Sequence, residues 1–177
     1  MSKIKTISLI DIARSGSFGP IVPQARLSTF AEEIGPPSRW GAFSGGRSLS
    51  CLMVFGEVEV GLVGGEGDLL VTWAKINLAR FTRSYMKFGC SPGSDFKGSE
   101  LRIHNPFGRR YPHYDLVAKR MKEDGLKYST DMDDSFFSDT TAVMRFGPVT
   151  FCFTVRPGQP LEAVYIFDRS HVAVKKS

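Results

Sequence analysis

The sequence predicts an α+β fold built as two tandem units, each a helix followed by a β-meander, with an antiparallel sheet and its helices on one face. Two observations carry this prediction. Shifted by 91 positions, the stretch from Met53 to Ile76 falls without a gap on the stretch from Met144 to Phe167. Upstream of each copy lies an amphipathic helical pattern, Arg26 to Ile34 in the first half and Tyr114 to Asp124 in the second.

The aligned copies share Met53 with Met144, Phe55 with Phe146, Gly56 with Gly147, Val58 with Val149, Gly67 with Gly158 and Leu70 with Leu161. In each copy a strand ends at Phe-Gly, a strand of alternating character follows, a glycine-containing turn interrupts, and a third strand closes the unit. Two generic hairpins with glycine turns would give some of these matches. The recurrence of a helix at nearly the same offset favours duplication.

In the first helix Leu27, Phe30, Ala31 and Ile34 form the apolar stripe, with Ser28 or Gln24 as capping candidates. In the second, Leu116, Val117 and Met121 face inward with Tyr114, while Lys119, Arg120, Lys122 and Glu123 face water. Each pattern runs into a glycine, Gly35 and Gly125, of the kind that ends helices. The chain is therefore expected to form one domain over 1–177, with halves at approximately 19–79 and 110–168. The linker between them, 80–112, is rich in Gly, Ser, Pro and basic residues and holds one short strand, Glu100 to His104.

A chain of 177 residues with 42% hydrophobic and 23% charged residues is long enough to bury a core without a metal or disulfide, and its 14 Phe point to aromatic packing. Cys51, Cys90 and Cys152 are odd in number and lack metal-ligand spacing, so they read as free thiols in a reducing compartment. Asp11 and Arg14 interrupt the apolar N-terminal stretch before a signal-peptide core forms, and no apolar run approaches the roughly 20 residues that span a bilayer. These features predict a cytoplasmic protein with no membrane association. The net charge of +5 raises the prospect of acidic partners, yet the basic residues are dispersed, with no block of five or more.

Chemistry-bearing motifs are sparse. His104, His113 and His171 have no Cys, Glu or second His at metal-ligand spacing. The run from Asp131 to Asp139 gathers Asp131, Asp133, Asp134 and Asp139 but lacks the sixth-position glycine and closing glutamate of a calcium loop, so it reads as an acidic connection between strands. The glycine-rich pieces at 14–19, 41–47 and 61–67 match neither a phosphate loop nor a dinucleotide fingerprint. No catalytic residue, metal site or cofactor is expected. Aromatics outside the best strands, such as Trp40, Tyr85 and Phe107, are interleaved with Arg80, Arg83, Arg109 and Arg110, as in a protein interface or a stacking platform for single-stranded nucleic acid.

The stretch from Gly19 to Gly41, followed by Val54 to Ile76, resembles bacterial immunity-type proteins of polymorphic toxin and contact-dependent inhibition systems. In that pattern a short helix ends in Gly-Pro, an aromatic strand follows, and an aromatic-Gly-x-Val-Glu strand leads into a closing strand. Gly35, Pro36, Trp40, Phe55, Gly56, Val58 and Glu59 match it, whereas the second half departs at Pro148 and Thr150. The resemblance implies a non-enzymatic protein that binds and neutralises a cognate toxin. Its contact candidates are Asp131, Asp133, Asp134 and Asp139 with Glu57 and Glu59, expected as exposed carboxylates on the second strand. Two other classes stay open: a basic nucleic-acid-binding or phage-type regulatory module, and a small enzyme with a site assembled from dispersed residues such as His104, His113 and Asp115.

Overall fold

The computed structural model describes residues 5–45, 48–64, 67–78, 101–108, 112–131, 141–154 and 158–167. The first-half elements are β1 (Lys5–Ser8), α1 (Leu9–Ser15), α2 (Leu27–Ile34), β2 (Arg39–Gly45), β3 (Ser48–Phe55), β4 (Val58–Gly64) and β5 (Leu69–Asn77). They are followed by β6 (Leu101–His104), α3 (Tyr114–Glu123), β7 (Ser129–Asp131), β8 (Thr141–Phe146), β9 (Val149–Thr154) and β10 (Leu161–Phe167). Helices and a large antiparallel sheet together make the fold α+β.

Eight strands form that sheet in the order β2-β3-β4-β5-β10-β9-β8-β7. Each half contributes four consecutive strands rather than the expected three, and the closing strands β5 and β10 meet antiparallel to join them. The strands unforeseen within the halves are β2, beyond its aromatic start, and β7, only three residues long. The first hairpin turns at Gly56, φ 62°, and its counterpart at Gly147, φ 57°. In both, a glycine takes the first position of a two-residue loop, where a type II′ hairpin requires positive φ.

Both closing strands bulge. On β5 the register passes from Trp73 opposite Gly61 to Val71 opposite Leu62, leaving Thr72 as the extra residue, and its hydroxyl donates to the Gly61 carbonyl at 3.1 Å. On β10 the extra residue is Glu162, whose carbonyl accepts from the Leu78 N–H.

The core collects on one face of the sheet. Phe55, Val58, Ile76, Val164, Phe151 and Met144 stand in one cross-strand row, and none is more than 1% exposed. Phe30 of α2 meets Phe55 edge-on at 5.4 Å, and Tyr114 of α3 meets Phe153 in the same way at 5.1 Å. Such edge-to-face pairs suit the ring quadrupoles.

The N-terminal segment, read from sequence only for its lack of a signal core, forms β1 and α1. Ser8 caps α1 by accepting the Ile10 N–H, Gly16 ends it at φ 75°, and Leu9, Ile10, Ile12 and Ala13 are buried. A seven-residue helix buried on several sides carries too few turns for its periodicity to register. β1 pairs in parallel with β6, so the predicted linker strand belongs to a second, two-stranded sheet.

Candidate functional site

Glu57 and Glu59, two residues apart, have different fates. Glu57 lies in the β3–β4 turn rather than on a strand; its N–H donates to the Leu101 carbonyl at 3.0 Å and its Oε2 accepts the Ile103 N–H at 2.5 Å. The exposed carboxylate thus ties β6 to the central hairpin. Glu59 is only 2% exposed, which corrects the expectation of an exposed contact residue. Simple alternation sends it to the face away from the core, but that face is itself partly buried.

Asp131 ends β7, opposite Val143, at the far edge of the sheet; Asp133, Asp134 and Asp139 lie outside the described residues. Five strand spacings separate β4 from β7, so the acidic run begins about 24 Å from Glu59. The described start of the run, at the β7 edge, is thus well separated from β4 across the sheet.

Because directly opposed residues in an antiparallel ladder share a face, the register defines what lies on the side away from the core. One row runs through Val54, Glu59, Lys75, Tyr165, Thr150 and Arg145. The next holds Gly61, Trp73 and Phe167, and on the other flank Val143, Cys152 and Ala163 are buried outside the main core cluster. Tyr165 and Phe167 stack with centroids 5.2 Å apart, and the Lys75 ammonium sits 5.0 Å from the Tyr165 ring centre. Trp73 fits over Gly61 because a β-carbon there would fall inside the indole.

This half-buried set of Trp73, Lys75, Tyr165, Phe167 and Arg145 went unrecognised in the sequence, where aromatic-basic interleaving was sought outside the strands. The available signal was the i, i+2 spacing of Trp73 with Lys75 and of Tyr165 with Phe167, which places each pair on one face of a strand.

His113 precedes α3, and its Nδ1 donates to the Gly158 carbonyl at 2.5 Å. Its ring occupies the space that a β-carbon at Gly158 would take. Asp115 is exposed in the first turn of α3, and His104 is exposed at the end of β6. Among the described residues no group of three or more His, Cys, Asp and Glu is placed to hold a metal ion. Cys51 and Cys152 are both buried; Cys51 belongs to the main core cluster and Cys152 does not, and burial pushes the Cys51 thiol pKa up. A depression of about 240 Å³ between Pro106–Phe107 and α3 is lined by Leu116, Lys119, Arg120 and Glu123. Arg120 is paired there with Asp124 at 2.9 Å.

No family model matches the chain, and no curated protein is significantly similar to it. Among solved structures, it is similar to a cysteine-rich secretory protein from Staphylococcus aureus subsp. aureus Mu50, at 11% identity and a TM-score of 0.34. The match covers 95% of this chain and 51% of the other, so the chain spans about half the length of that protein. Among the described residues no helix is long and apolar enough to cross a membrane.

Proposed function

We propose that this chain is a non-enzymatic binding protein that neutralises a cognate bacterial toxin by direct contact in the cytoplasm. The observation that carries the reading is the sheet face turned away from the core, where Trp73, Tyr165 and Phe167 gather beside Lys75 and Arg145. Aromatic and arginine side chains held on rigid strands are the residues that anchor protein interfaces. The resemblance to immunity-type proteins supplies the partner class. Its matching residues Gly35, Pro36, Trp40, Phe55, Gly56, Val58 and Glu59 fall between the end of α2 and β4.

In this reading the acidic run Asp131, Asp133, Asp134 and Asp139 contributes charge that steers a basic toxin surface. Glu57 is occupied in holding β6, and Glu59 is buried, so neither is assigned to the contact. The halves are tandem copies with their helices on one face of the shared sheet. Support comes from the paired closing strands and the bulge in each.

The same row favours a second reading, a nucleic-acid-binding module. Lys75 lies beside Tyr165 and Arg145 one strand beyond Thr150 in the same row, a combination of cations and a ring that suits a single strand. One experiment separates the two. The tagged protein is captured from its host with and without nuclease and eluted in high salt, beside Tyr165→Ala and Arg145→Ala variants. A stoichiometric protein partner that survives nuclease and is lost in the variants supports toxin neutralisation. Recovery of nucleic acid alone, with binding that falls steeply with salt, overturns it in favour of the second reading.

A further inference from the structure

We propose that β2 is a self-association strand: two copies of this chain pair their β2 strands antiparallel about Ala42 and join their sheets edge to edge. Among the described residues the eight-strand order ends at β2 and β7, and the two ends differ. β7 has three residues, whereas β2 has seven in unbroken register with β3, from Arg39 opposite Val54 to Gly45 opposite Ser48. Proteins blunt exposed edges with lysines, prolines, bulges or inward charges. The β2 sequence, Arg-Trp-Gly-Ala-Phe-Ser-Gly, contains no lysine or proline and has one charge, at its first position.

The hairpin register tells which main-chain groups face outward. Phe55 stands opposite Val58 across the two-residue turn, so Phe55, Met53 and Cys51 direct their N–H and C=O to β4. Val54, Leu52 and Ser50 direct theirs to β2, where their partners are Arg39, Gly41 and Phe43. Trp40, Ala42 and Ser44 therefore turn their main-chain groups out of the sheet edge.

A second β2 laid antiparallel about Ala42 engages all three. Ala42 then stands opposite itself, Trp40 opposite Ser44, Gly41 opposite Phe43, and Arg39 opposite Gly45. Every large residue meets a small one, and the arginine meets a glycine rather than its own copy. Moving the centre by one residue either way leaves one of the three outward residues without an outward counterpart in the strand. Trp40, 53% exposed and the most exposed large apolar residue described, lies at this edge and becomes covered.

Sedimentation equilibrium of the full chain over a concentration series tests the proposal. The wild type is expected to approach twice its 19.6 kDa mass at high concentration. Ala42→Lys and Ala42→Glu are each expected to lose self-association, because each sets like charges opposite one another at the two-fold, and an equimolar mixture is expected to recover it. Ala42→Pro, which removes only an outward N–H, is expected to be monomeric with an unchanged far-UV circular dichroism spectrum. A wild type that remains monomeric overturns the proposal, and so does a dimer indifferent to these substitutions. A charged-variant mixture that stays monomeric overturns the register about Ala42. A wild-type monomer whose β2 pairs only with another protein's strand assigns the edge to that partner instead.

Discussion

Asp68, in the turn before β5, caps helix α2 across the chain by accepting the Ser28 hydroxyl at 2.5 Å and the Ser28 N–H at 3.4 Å. The helix has Arg26 at its N-cap position with no side-chain cap of its own, so this carboxylate satisfies a helix-start N–H that would otherwise be left to solvent. The Ser28 hydroxyl, the Leu69 N–H, the Ser28 N–H and the Arg26 charge all hold the Asp68 pKa below the usual carboxylate range.

A folded-state pKa below the unfolded one contributes stability that is present above the unfolded value and lost as pH falls through the folded value. Asp68→Ala is therefore expected to lower the urea midpoint at neutral pH. The difference from wild type should shrink below the ordinary aspartate range, near about pH 3.9, and vanish in stronger acid. A difference that stays constant between neutral pH and acid would show that Asp68 contributes by packing alone.

Gly61 is expected to resist even alanine. A β-carbon there would enter the Trp73 indole, and the Gly61 carbonyl already accepts from the Thr72 hydroxyl at the neighbouring bulge. Gly61→Ala should cost about 1–3 kcal/mol in chemical denaturation, the range of overpacked sites. Combined with Trp73→Ala, its added cost should largely disappear, since the obstructing ring is gone. Full additivity in that double-mutant cycle would mean that strand geometry, not the indole, demands the glycine.

His113 is expected to act on stability rather than on chemistry. Its Nδ1–H bonds to the Gly158 carbonyl and links the start of α3 to the turn before β10. His113→Ala should cost about 1 kcal/mol, the net worth of one such bond. Partner capture at neutral pH should be unchanged once the variant is folded. Loss of capture with stability intact would place His113 at a contact surface.

The parts of the fold visible in the sequence are those with local periodicity. The helix expected at 26–34 forms over Leu27–Ile34, the one expected at 114–124 over Tyr114–Glu123, and the Phe-Gly turns close the expected hairpins. What escaped depends on partners far along the chain. Asp68 caps α2 at Ser28 from 40 residues away, and Gln24 adopts a left-handed backbone at φ 66°. Glu59 follows an alternating pattern that predicts exposure, and its burial arises because neighbouring strands fill the second face of the sheet. The aromatic-basic set was equally hidden, since Trp73 and Tyr165 become neighbours in the sheet only when β5 and β10 pair.

Gly56 and Glu57 together hold the small parallel sheet to the large one. The Gly56 β-carbon position is filled by the backbone of Leu101, and its φ of 62° is one that L side chains rarely adopt. Glu57 then adds two hydrogen bonds to the same strand, through its N–H to Leu101 and its carboxylate to Ile103. Glu57→Ala keeps the first and removes the second, so its effect should be local. The Ile103 amide should exchange with solvent at least about fivefold faster, equivalent to about 1 kcal/mol of local opening, while amides in β4 and β5 keep their protection. Gly56→Ala should do more, because backbone cannot yield as a side-chain tip can. Faster exchange across β1 and β6 together is expected, since the two strands share one ladder. Unchanged exchange at Ile103 in the glutamate variant would mean that the glycine contact alone holds β6.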